Sequence, residues 1–118
     1  MKNEVERELF VLGLDDWFPF TTVPAICQEL GHYKTKAELA EAALQTILAL
    51  LERGDFRAGE ISLQTNGFVP WNLSPAQAVA RMRREWNALG QELSFGDICW
   101  FEITEHGEQA ARAKGIGA

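Results

Sequence analysis

The chain has 118 residues, a formal net charge of -6, 47% hydrophobic residues, four Trp, seven Phe and two Cys. That length predicts a single domain, 1–118, able to bury a core without disulfide or metal staples, and the composition excludes disordered and fibrous classes. Residues 1–20 carry five carboxylates and two cations, and residues 91–118 do the same, so each end contributes -3. Such a field repels nucleic acid and anionic membranes and attracts basic partners.

Residues 3–13 predict a first helix, with Val5, Leu9 and Leu12 on one stripe and Phe10 beside it, ended by Gly13 and the pair Asp15-Asp16. Trp17-Phe18-Pro19-Phe20 reads as an aromatic connecting loop. A second helix begins near Thr21 or Thr22 with Pro24 in its first turn, faces Ile26 and Leu30 inward and ends at Gly31. Thr35 and Glu38 form a capping-box pattern for a long helix over 36–53, whose Ala40, Ala43, Leu44, Ile47, Leu48 and Leu51 recur at helical spacing. Nothing else in the chain offers so long an apolar face.

After Gly54 the period changes, and residues 56–63 predict a strand followed by a turn at Thr65-Asn66-Gly67. Phe68-Val69-Pro70-Trp71 reads as a second aromatic loop. Ser74-Pro75-Ala76-Gln77 starts a helix to about Leu89, with Val79, Met82, Trp86 and Leu89 on one face. Residues 98–103 predict a strand pairing with 56–63, and Thr104 caps a final helix to about Ala113. The expected core is Leu9, Leu12, Ile26, Leu30, Leu44, Ile47, Leu51, Val79, Met82, Trp86, Ile98, Trp100 and Ile103.

Two stretches, Leu50-Leu51-Glu52-Arg53-Gly54-Asp55-Phe56 and Phe101-Glu102-Ile103-Thr104-Glu105-His106-Gly107, resemble the recognition-helix end and the second wing strand of a winged helix-turn-helix domain. The fold so implied is α+β and winged-helix-like, with four or five helices, a small antiparallel β pairing and a helix inserted between the wing strands. The resemblance implies DNA contacts from Lys34, Lys36, Arg57, Arg81 and Arg84. Against that role, the exposed start of the long helix mixes Lys34 and Lys36 with Glu38 and Glu41 and offers no arginine.

Catalytic and metal-ligand patterns are weak. His32 and His106 have no C-x-x-C or H-x-x-x-H partner spacing, and phosphate-cradling glycine loops and nucleophile-elbow patterns do not occur. We therefore expect no catalytic residue, no metal and no cofactor. Cys27 and Cys99 read as buried reduced thiols. The charged N-terminus and the lack of a long apolar run predict a cytoplasmic chain without membrane contact.

By overall kind, a small acidic domain without site chemistry resembles bacterial toxin-immunity proteins, including those of contact-dependent inhibition. That likeness implies a protein partner, a basic nuclease-type toxin domain. The residues expected to touch it are Asp15, Asp16, Trp17, Phe18, Glu38, Glu41, Phe68 and Trp71, aromatics as anchors and carboxylates as phosphate mimics.

Overall fold

A computed structural model describes residues 2–117, and the side chains from Glu4 onward. Five helices and a four-stranded antiparallel sheet follow one another as α1 (Lys2–Asp15), β1 (Phe18–Pro19), α2 (Thr22–Leu30), α3 (Lys36–Glu52), β2 (Phe56–Ser62), β3 (Gly67–Pro70), α4 (Pro75–Ala88), β4 (Trp100–Ile103) and α5 (Glu105–Ala113). The fold is α+β. Its sheet order, β1-β4-β2-β3, and the placement of α4 between β2 and β4 in sequence are compatible with the winged-helix-like arrangement expected.

The helix starts follow their local chemistry. Ser74 and Gln77 close a reciprocal capping box at α4, and Thr104 accepts the Gly107 N–H at α5. At α3 the Thr35 hydroxyl accepts the Glu38 N–H, but the Glu38 carboxylate turns to the Lys34 N–H instead of completing the box.

Helices pack on the sheet face that carries Phe56, Ala58, Phe101 and Ile103. Leu9, Phe10, Phe18, Phe20, Val23, Leu44, Ile47 and Met82 fill the space between, all nearly inaccessible to solvent. Each such fully buried side chain contributes on the order of 1.5–3 kcal/mol. Most of the expected core is in or against this cluster, with Leu12, Ile26, Leu30, Leu51, Trp86, Ile98 and Ile103 at its margin.

Two corrections concern the aromatic loops. Phe18-Pro19 is a strand, pairing Phe18 with Phe101 and Pro19 with Trp100, and residues 67–70 are a strand, pairing Phe68 with Ile61 and Pro70 with Gly59. Each is short and carries proline, which locally looks like a loop. Neither proline interrupts the ladder. Phe20 N–H donates to Cys99 O and Trp71 N–H donates to Ala58 O, so the bonding positions alternate with Pro19 and Pro70.

A third correction is Trp100. It pairs with Gly59, one residue out of phase with core-facing Phe101 and Ile103, and therefore stands on the sheet face away from the helices. The strand also starts at Trp100 rather than at Ile98, because Ile98 has φ +72° and lies in a turn.

Candidate functional site

The sheet face opposite the helices is where the aromatics gather. By strand alternation it presents Trp17 beside β1, Trp100 and Glu102 on β4, Arg57, Gly59 and Ile61 on β2, and Phe68 on β3. Gly59 is the pivot. Its missing side chain leaves room for the Phe68 ring, whose Cζ would lie 2.9 Å from a Cβ there. Phe68 thereby reaches across the sheet to Trp17, with ring centroids 6.3 Å apart, and Arg57 places its guanidinium 5.5 Å from the Phe68 centroid. On the other side Trp100 meets Phe95 edge-on at 5.3 Å.

The polar groups on this face satisfy one another. Glu102 accepts the Trp17 indole N–H on Oε2 at 2.9 Å and the Arg57 Nε–H on Oε1 at 2.7 Å. Tryptophan, phenylalanine and arginine are residue types enriched at protein interfaces, and here they sit around one internally neutralised ion pair.

The expected contact residues divide among several places. Trp17 and Phe68 meet on the open face, and Asp16 lies beside them, accepting the Trp17 N–H on Oδ1 at 2.7 Å, with exposed Asp15 before it. Phe18 instead faces the core, packed against Phe56 and Phe101, because its strand position is one out of phase with Trp17; it is not a surface residue. Trp71 lies past the end of β3, where its indole N–H donates to Glu60 and the Arg81 guanidinium stacks 3.9 Å from its ring. Glu38 and Glu41 come together elsewhere, on a groove of about 430 Å³ with Val5, Leu30, Tyr33 and Ala42 along its apolar walls.

Sequence reasoning missed Phe95, Trp100, Glu102 and the role of Gly59. The signal available was the strict alternation Trp100-Phe101-Glu102-Ile103, which forces Trp100 and Glu102 onto one face.

The candidate nucleic-acid residues are spread over the loop before α3 (Lys34), its first turn (Lys36), β2 (Arg57) and α4 (Arg81, Arg84). Arg57 is bound to Glu102, Arg81 to Glu85 and Glu60, and Arg83 holds Glu41 in two bonds of 2.8 and 3.2 Å. The hydrogen bonds from Arg83 and Gln45 bring the Glu41 pKa down to about 2. Hydrogen bonds donated to Glu85 and Glu41 raise the Arg81 and Arg83 pKa values respectively, so these cations are committed to carboxylates of the same chain.

Cys27 and Cys99 are free and buried. Burial pushes both thiols up, opposed at Cys27 by its hydrogen bond with Thr46. Among the described residues, no group of three or more His, Cys, Asp or Glu is placed to hold a metal ion, and no helix is long and apolar enough to cross a membrane. No protein family, no curated protein and no solved structure matches the chain.

Proposed function

We propose that the chain is a non-enzymatic, cytoplasmic protein-binding protein of the toxin-immunity kind, which neutralises a basic, nuclease-type partner by covering it. The observation that carries this reading is the open sheet face, where Trp17, Phe68 and Trp100 surround a self-paired Arg57–Glu102 centre. Aromatics at such a face supply contact area at low entropic cost, and the net charge of -6 speeds encounter with a basic partner.

The other reading, a winged-helix transcription regulator, is favoured by the strand order β1-β4-β2 after three helices. It is weakened by the pairing of Arg57, Arg81 and Arg83 with carboxylates of the same chain and by α4 lying against α3 through the Arg83–Glu41 pair.

The test is affinity capture with the purified chain from the cells that make it, followed by an activity assay of what is captured. A stoichiometric basic protein retained at ~150 mM salt, where weak surface attraction is screened, and inhibited by the chain, is the expected result. Recovery of DNA that is lost steeply as salt rises makes the regulator the better account.

A further inference from the structure

Phe95 is 79% exposed, yet it is the tip of a hydrogen-bonded loop that leads into β4. Asp97 N–H donates to Ser94 O at 3.0 Å, and Ser94 N–H donates back to Asp97 Oδ2 at 2.7 Å. Gly96 follows Phe95 at φ +87°, while Phe95 itself has negative φ, so the four residues form a type II turn with Phe95 at its apex. A second turn begins at once. Cys99 N–H donates to Asp97 O at 2.9 Å across Ile98, whose φ of +72° makes a γ-turn that a β-branched residue adopts only under strain.

The loop is pinned on both sides. Leu93 and Ile98 pack against the core, and Cys99 is buried. The turn closed by Ser94 and Asp97 carries Phe95 at its exposed apex, and the ring rests edge-on against Trp100. A large apolar side chain held this way has little freedom left to lose on contact, which is how an interface anchor gains affinity.

The surrounding charge selects the partner. From residue 85 to residue 111 the chain carries six carboxylates and no Lys or Arg; Glu85 is paired with Arg81 and Glu102 with Arg57, so the acidic excess of the stretch is carried by Glu92, Asp97, Glu105 and Glu108. That stretch repels a second copy of itself and repels phosphates, and it is complementary to a basic protein.

We propose that Phe95 is the anchor by which the open sheet face engages its partner, a basic protein whose apolar pocket receives the ring while Lys or Arg at the pocket rim face Glu92 and Asp97. This rests on the partner-binding reading above and adds the contact point and the partner's chemistry.

The experiment places the photo-crosslinking residue p-benzoylphenylalanine at position 95 of the full chain in its native cells, with position 63 as control, since Leu63 is 90% exposed. One discrete adduct from position 95, absent from position 63 and identified by mass spectrometry as a basic protein, is expected. With that protein purified, Phe95→Ser weakens binding by about 30-fold or more, as loss of an aromatic hot spot does. Phe95→Trp retains most of the affinity, and circular dichroism shows both variants folded. Equal adducts at both positions, or full affinity of Phe95→Ser, overturns the anchor and leaves the partner-binding reading standing. An adduct with nucleic acid or with a second copy of the chain overturns the basic-protein assignment. No adduct, together with no captured protein, overturns both.

Discussion

The indole N–H of Trp17 donates to Glu102 Oε2 at 2.9 Å, joining residues 85 positions apart, one just before β1 and the other on the neighbouring β4. The bond fixes the ring that lies beside Phe68. Trp17→Phe keeps the ring contact and leaves one oxygen of a partly buried carboxylate without its donor. Loss of about 0.5–1.5 kcal/mol in urea unfolding is expected, with Arg57 and its bond to Glu102 unaffected.

Gly59 is a tighter constraint. A methyl group there meets the Val69 carbonyl, the Pro70 Cα at 2.8 Å and the Phe68 ring at 2.9 Å. Gly59→Ala is expected to destabilise the fold by about 1–3 kcal/mol, and to displace Phe68 from Trp17. Tryptophan fluorescence of the folded variant reads the second effect, and equilibrium unfolding the first.

Glu41 and Arg83 give a test that needs no partner. The folded-state pKa of Glu41, about 2, lies below its ordinary value of 4.5, so the pair contributes stability above the ordinary value and loses it as pH falls from there through about 2. In Arg83→Ala the largest cause of the depression is gone. The Glu41 midpoint, followed by carboxyl NMR, is expected to rise towards its ordinary value.

Both thiols are sealed in the fold. Burial raises the Cys99 pKa strongly and the Cys27 pKa as well, so native protein at pH 8 is expected to react with a disulfide reagent only as fast as it opens. Adding denaturant should release two equivalents at once. Rapid labelling of either cysteine in the native state contradicts the burial.

Three of the five helices, α3, α4 and α5, were legible because they are punctuated locally: Ser74 and Gln77, Thr35, Thr104 and the left-handed Gly54 act where the residue types suggest, whereas α1 runs through Gly13 to Asp15 and α2 starts at Thr22 with no side-chain cap from Thr21. The outer strands were not. Phe18-Pro19 and Gly67-Phe68-Val69-Pro70 obtain their pairing from residues remote in sequence, and nothing in two or four residues with a proline announces it. The third failure was one of phase. Ile98, Trp100 and Ile103 were all expected to face inward, which period two forbids within one strand. The γ-turn at Ile98 resolves the conflict by letting Ile98 reach the core outside the strand while Phe101 and Ile103 do so within it. Trp100 is left facing out, and with it the centre of the candidate surface. Two aromatic residues of that surface, Trp17 and Phe68, were named from sequence for their chemistry alone, but their meeting depended on the hole at Gly59.

Pro19 and Pro70 occupy the two outermost strands of the sheet, each at a position that leaves the internal ladder whole. They remove an outward-facing N–H from both rims, so a foreign strand finds no continuous template on either side. A sheet sealed at its borders can keep a face rich in aromatic rings without seeding fibres. It also dictates the geometry of any encounter there: a visitor must settle flat upon the surface, reading its shape and rings, because it has no rim along which to zip.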